Sequence, residues 1–341
     1  MRALRLEAWG QPPRVAEVPV PDPGPGEVRL RMAAVGLCHT DLHFLEAEPG
    51  AFPYDLPFTL GHENVGWVDD AGTGVDDLDA GIAVAVAGVH SCGRCTTCLR
   101  GADNYCPQGW RGRGYGDDGG LAEFLVVPRR EVVPIGDLDP CAAAPLTDAG
   151  ATSYHVVGKV RPKLVPGATA VVIGAGGLGG YAIQHLRLLT PARIVAVDVD
   201  PARLARARDL GADEVLPSDR GTAAAVRDLT DGLGAEAVLD FVGSDATART
   251  AVRCARAMGA VALVGAGGGA VPVGWGRVPL ECDVFVPMGA TLADLHAVVA
   301  LAGSGALRMD VEVFPFDRAV EAYRRFGAGA LRARAVVAVG T

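Results

Sequence analysis

Val171-Val172-Ile173-Gly174-Ala175-Gly176-Gly177-Leu178-Gly179 is a short apolar run closed by a GxGxxG pattern. The run predicts a buried strand, and the helical pattern continuing through Leu189 predicts a helix after the turn. Gly174 permits the tight turn, Gly176 lets the backbone approach a pyrophosphate, and Gly179 lets the helix pack close to the strand. Gly177 belongs to the same loop, where the helix N-terminus faces a phosphate anion. An acidic residue is then expected at the end of the next strand, and Asp198 stands 24 positions after Gly174. A carboxylate there accepts two ribose hydroxyls and repels a 2′-phosphate, which favours NAD over NADP. A structural glycine turn in an unrelated α/β domain is the alternative. Asp200 is explained as a helix N-cap ahead of Pro201. The second cluster, Gly265 to Gly269, lacks a comparable following helix and reads as a loop near the cofactor.

Outward from this turn the pattern alternates. Ile194 to Val197 reads as a strand, Pro201 to Leu210 as a helix, Ala237 to Phe241 as a strand, Thr247 to Met258 as a helix and Val261 to Val264 as a strand. That alternation predicts a parallel sheet covered on both faces. The first 150 residues read instead as β and loop, with strands at Val28 to Met32 and Ile82 to Val86 and a rigid turn at Pro21 to Gly26. A helix at Arg318 to Phe326 and a strand at Ala335 to Val339 close the chain. The fold class is α/β.

The chain has 341 residues, enough for two domains at roughly 100–200 residues each. A net charge of −9 argues against nucleic acid or an anionic membrane as partner, since both reward clustered Lys and Arg. Two uncharged stretches, Leu164 to Leu186 and Ala257 to Gly276, are broken by several Gly and a Pro and read as strands joined to turns rather than as membrane spans. No secretory signal is visible at Met1 to Gly10, and the expected location is the cytoplasm.

Eight cysteines without such a signal are expected to be thiols rather than disulfides. Cys92, Cys95, Cys98 and Cys106 fall within 15 residues, a donor set that suits tetrahedral zinc with no open position. An iron–sulfur cluster is the rival. Cys141, Cys254 and Cys282 read as ordinary small buried residues. Gly36-Leu37-Cys38-His39-Thr40-Asp41-Leu42-His43 and Gly61-His62-Glu63 add Cys, His, Asp and Glu about 20 residues apart. Taken alone, such residues are more often core than ligands.

Together with Thr147-Asp148-Ala149-Gly150-Ala151-Thr152-Ser153-Tyr154-His155, and in this order, these motifs resemble the zinc-containing medium-chain alcohol dehydrogenases. The resemblance covers essentially the whole chain and is strongest to bacterial NAD-dependent secondary-alcohol dehydrogenases, because Asp148 stands where many members have Cys. It implies a β-rich, GroES-like catalytic domain of residues 1–150 and 290–341, with a Rossmann NAD-binding domain of residues 151–289 inserted between. It implies two zincs per chain. Cys38, His62 and Asp148 match the catalytic zinc ligands, and Glu63 a residue able to approach that zinc from behind. Thr40 matches the hydroxyl that bonds the substrate oxygen, His43 the end of a proton relay, and Asp41 the partner of the ligand histidine. His39 and Arg334 match positions near the cofactor pyrophosphate, and Arg203 a basic residue beside the adenosine ribose. One thiolate, one imidazole and one carboxylate leave a fourth position open for substrate. The family is usually dimeric or tetrameric through the cofactor-domain sheet, for which Val284 to Pro287 is a candidate edge.

Phe44, Phe52, Tyr54, Trp110 and Met288 are placed in the pocket by the same resemblance and point to a moderately apolar alcohol or ketone. Three readings compete: an NAD-dependent alcohol dehydrogenase, a polyol or aldehyde-adduct dehydrogenase with the same zinc and cofactor, and a nonenzymatic NAD-binding protein. Cys38, His62, Asp148 and Thr40 are all present, which counts against the third.

Overall fold

The apolar run before Gly174 is a strand, Thr169–Ile173, with all five residues buried, and the helix Gly177–Leu189 follows the turn. Successive side chains go to opposite faces: Ala170 and Val172 enter one hydrophobic core, Val171 and Ile173 the other. Only a strand covered on both sides can be apolar at every position. A computed structural model describes residues 1–109, 111–331 and 333–340.

The chain divides into two compact units, Met1–Ala151 with Gly289–Thr341, and Thr152–Met288. In the second unit six parallel strands lie in the order Glu214–Pro217, Arg193–Asp198, Thr169–Ile173, Ala235–Asp240, Ala255–Leu263, Asp283–Phe285. Numbered along the chain this is 3-2-1-4-5-6, the Rossmann order. The helix Pro201–Asp209 starts where Asp200 accepts the Ala202 N–H at 2.8 Å. One predicted helix is shorter than expected. It spans Asp245–Cys254, and the residues to Met258 belong to the next strand. Their Ala-rich sequence carries little period of its own, and pairing of Ala255 with Ala235 extends the strand.

The first unit centres on a sheet in which Glu27–Gly36 pairs antiparallel with Glu63–Ala71, Phe124–Pro128 and Arg334–Ala338. The strand Arg334–Ala338 in turn pairs with Val311–Pro315, so the C-terminal segment is part of the same sheet as residues near the N-terminus. Helix Ala319–Gly327 lies between these two strands in sequence and buries Ala319, Ala322 and Tyr323. Among the described residues no helix is long and apolar enough to cross a membrane.

Candidate active site

The strand Glu27–Gly36 delivers the chain to Leu37 and Cys38, and Cys38 caps the helix His39–Leu45. Asp41, third in that helix, turns back so that its Oδ2 accepts the Cys38 N–H at 3.1 Å. Gly61 precedes His62 at φ 98, in the left-handed region, and a Cβ there would lie 2.7 Å from a Val35 methyl. Only glycine makes that bend without strain. Asp148 stands between the turn Ala144–Thr147 and the helix Ala149–Val160.

These three segments converge. One donor atom each from Cys38, His62 and Asp148 lies within 4.8 Å of the other two. Cys38 Sγ is 3.5 Å and His62 Nε2 3.8 Å from Asp148 Oδ2. His62 Nδ1 faces Asp41 Oδ1 at 3.2 Å, which leaves Nε2 as the free ligand atom. The donor set and its spacing fit a zinc with one position left for substrate. Asp41 is fully enclosed, so it is neither a surface charge nor solvated. Its Oδ2 also accepts the Tyr323 hydroxyl at 3.1 Å.

Behind the trio, Glu63 is fully buried and pairs with Arg334, whose Nε lies 3.3 Å from Glu63 Oε2. Burial pushes Glu63 up to about 7, although Arg334 opposes this. A Cβ at Gly36 would fall 1.8 Å from Glu63 Oε2, so glycine is what admits the carboxylate. Arg334 also reaches within 3.9 Å of Asp148. Its guanidinium is enclosed against these acids, a setting that the expected place beside a pyrophosphate did not anticipate.

The four clustered cysteines form a second donor set. Cys95 and Cys98 sulfurs are 3.5 Å apart, Cys92 and Cys98 3.9 Å, and Cys95 and Cys106 4.0 Å. Four sulfurs on one zinc at about 2.3 Å stand about 3.8 Å from each other, so the lobe fits the ion. Backbone N–H groups point at the sulfurs, Cys95 to Cys92 at 3.3 Å and Cys92 to Cys106 at 3.4 Å. Such bonds, from Arg94 first, pull the Cys92 thiol down to about 6.

In the other unit, Gly174 has φ 86, and a Cβ at Gly179 would lie 1.8 Å from the Gly174 carbonyl oxygen. Helix and strand touch there as the motif requires. Asp198 holds the turn: its Oδ2 accepts the Ala175 N–H at 2.8 Å and its Oδ1 the Asp200 N–H at 2.9 Å. Each oxygen keeps a further lone pair. Arg203 lies 4.0 Å from Asp198 and 3.7 Å from Asp200.

The family model described as the alcohol dehydrogenase GroES-like domain matches residues 24–137, and that of the zinc-binding dehydrogenases matches residues 177–301. An alcohol dehydrogenase of Geobacillus stearothermophilus is 33% identical over 99% of this chain and all of its own length. An NAD-dependent alcohol dehydrogenase of Sulfurisphaera tokodaii is 37% identical over 72% of this chain and 73% of its own. The crystal structure of the alcohol dehydrogenase from Aeropyrum pernix superposes with a TM-score of 0.94 at 35% identity, covering 99% of this chain and 100% of that one. The chain belongs to the zinc-containing medium-chain alcohol dehydrogenases.

For a member of that family the remaining expected residues fall as follows. Thr40 Oγ1 lies 3.7 Å from Cys38 Sγ, and His43 is one turn further along the same helix, partly buried. His39 is exposed, with its ring edge-on to Phe326 at 4.6 Å between centroids. Phe44 is almost fully buried and packed within a hydrophobic core. Phe52 and Tyr54 stack on each other at 6.0 Å and are partly exposed, Met288 belongs to the other unit, and Trp110 lies outside the described residues. Tyr115 was not anticipated. Its ring meets His62 edge-on at 5.8 Å, and its hydroxyl bonds the Gly88 carbonyl. Only the surrounding glycines, Gly112, Gly114 and Gly116, hinted at a crowded turn there.

Proposed function

We propose that this chain oxidises alcohols, most readily a largely apolar secondary alcohol, with NAD as the hydride acceptor, and reduces the corresponding ketone in reverse. The convergence of Cys38, His62 and Asp148 carries this reading. When bound there, zinc supplies Lewis acidity toward the substrate oxygen, and NAD supplies the hydride acceptor. Cys38, His62 and Asp148 hold the metal, with Asp41 fixing the His62 ring. Glu63, behind them, faces the site with Arg334 as its partner. Thr40 orients the substrate hydroxyl and opens a proton relay, giving up its own proton as it takes the substrate's, and His43 ends that relay beyond the cofactor ribose. Gly174, Gly176, Gly177 and Gly179 cradle the pyrophosphate. Asp198 uses its remaining lone pairs for the ribose, with Arg203 beside it. His39, exposed at the start of its helix, stands near the cofactor pyrophosphate. The four-cysteine lobe holds a second, structural zinc.

Cys38→Ser tests the assignment. Wild type is expected to carry two zincs and to reduce NAD with a short secondary alcohol, while the variant keeps one zinc and no measurable activity. A variant that retains both zincs and full activity would sink the ligand assignment. A panel of secondary alcohols beside sorbitol-type polyols separates the proposed substrate class from the polyol reading.

The chain is further proposed to act as a homodimer or homotetramer in the cytoplasm. Eight cysteines with no disulfide among them, five of them assigned to zinc, support a reducing compartment, and an open edge of the parallel sheet supports the assembly.

A further inference from the structure

Tyr323 stands on the helix Ala319–Gly327, for which the sequence suggested no functional role. Its ring is buried, and its hydroxyl donates to Asp41 Oδ2 at 3.1 Å. The same oxygen accepts the Cys38 N–H at 3.1 Å, while the other oxygen faces His62 Nδ1 at 3.2 Å. The far nitrogen of His62 is the one turned toward Asp148, 3.8 Å away. Tyr323 hydrogen-bonds Asp41, and Asp41 Oδ1 approaches His62 Nδ1 to 3.2 Å, so this helix reaches the imidazole through the carboxylate.

We infer that Tyr323 is a positioning residue for the zinc held by Cys38, His62 and Asp148, its hydroxyl fixing the Asp41 carboxylate and, through it, the His62 ring. This rests on the reading of those three residues as zinc ligands. Packing does not ask for the hydroxyl, since a phenylalanine fills the same volume, and a hydroxyl is costly to bury without an acceptor. The acceptor here is a carboxylate removed from water, and hydrogen bonds to charged groups are the stronger kind. Burial and the nearby Asp41 charge hold the phenol far above its ordinary range, so it remains a donor at every working pH. The helices bearing the two partners are also packed on each other, with Phe326 against His39 at 4.6 Å. The contact is therefore braced by two elements rather than carried by a loop.

Tyr323→Phe removes the hydroxyl and keeps the ring. The experiment follows zinc release from the holoenzyme to a chromophoric chelator, with the four-cysteine zinc as internal reference. Direct partners of metal-bound histidines are worth about 10- to 100-fold in affinity. Tyr323 acts one bond further out, so release from the Cys38 site should be about 5-fold more complete at a given chelator concentration, with the cysteine-lobe zinc unmoved. In an Asp41→Ala background the Tyr323→Phe change should add nothing, because its route to the metal is gone. Cobalt placed at the Cys38 site should show a shifted absorption spectrum in Tyr323→Phe. Unchanged release of both zincs would overturn the inference, and so would equal acceleration of both, which marks general loosening. A wild-type enzyme that binds only the lobe zinc would instead remove the ligand reading on which the inference stands.

Discussion

Glu63 and Arg334 lie 271 positions apart in the chain and meet in the interior, both almost completely enclosed. A buried ion pair is weak support for stability in itself, but removing one member leaves the other uncompensated, at about 3–5 kcal/mol. Glu63 has a partial escape, since burial already lifts it to about 7 and it can take up a proton. Arg334→Met is therefore expected to cost about 3 kcal/mol, near the low end of that range. At about 2–4 °C per kcal/mol for units of this size, calorimetry should show the unit bearing the zinc trio melting roughly 6–12 °C lower. Adding Glu63→Gln should return part of the loss. A midpoint unchanged in Arg334→Met would mean that the pair is idle. Such residues also show where sequence reading stops. Gly174 and Gly179 were legible because what they must avoid, a turn strain and a carbonyl, is local. The cysteine lobe was legible because all four donors fall within 15 residues. The pairings of Arg334 with Glu63 and of Tyr323 with Asp41 span 271 and 282 positions and leave no period or spacing behind. Matched family positions placed Arg334 near the cofactor, but only geometry shows which acid it answers to.

The helix after the glycine turn raises the same question one scale up. Its apolar pattern was readable, yet His185 sits within it, fully buried, and no motif claims it. Its Nδ1 meets Ser153 Oγ at 3.2 Å, and Tyr154 and Tyr181 stand against the ring at 5.3 and 6.3 Å. Desolvation pulls its pKa down to about 3. The native imidazole thus stays neutral while the unfolded chain takes up a proton near pH 6.5. Above that pH both states are neutral and nothing is lost. Below it the unfolded state binds the extra proton, and stability falls by about 1.4 kcal/mol per pH unit until pH approaches 3. His185→Phe, which cannot titrate, is expected to flatten the acid limb of a stability curve between pH 6 and 4, measured by denaturant unfolding. A slope identical to wild type would show that another group carries the acid sensitivity. The boundary error at Cys254 belongs to this scale too. Ala255, Arg256, Ala257 and Met258 are helix formers by propensity, and only the pairing with Ala235 overrode it.

At the scale of the molecule, strand alternation was enough to predict a parallel sheet, because periods of 2 and 3.6 follow from which faces are covered. Assembly leaves a fainter trace. The strand Asp283–Phe285 ends the six-stranded sheet, pairing with Ala260–Ala262 on one side only. An edge of this kind presents unpaired N–H and C=O groups, and natural proteins cover or blunt it. The one charge in the strand, Asp283, is exposed and paired with Lys163 at 3.0 Å. Val286, next in the chain, is 74% exposed, and Trp275, in the segment leading to the strand, is 93% exposed. Apolar side chains this open, beside an unpaired edge, suit a self-complementary contact in which the same strand of a second copy lies antiparallel across a two-fold axis. In sedimentation the wild type should run at twice or four times the mass of one chain. Val286→Asp brings two like charges face to face across that axis, and it should shift the population toward single chains while both zincs remain bound. If wild type sediments as one chain at micromolar concentration, the edge is not an interface. If Val286→Asp leaves a larger assembly intact, the contact lies on another face of the molecule.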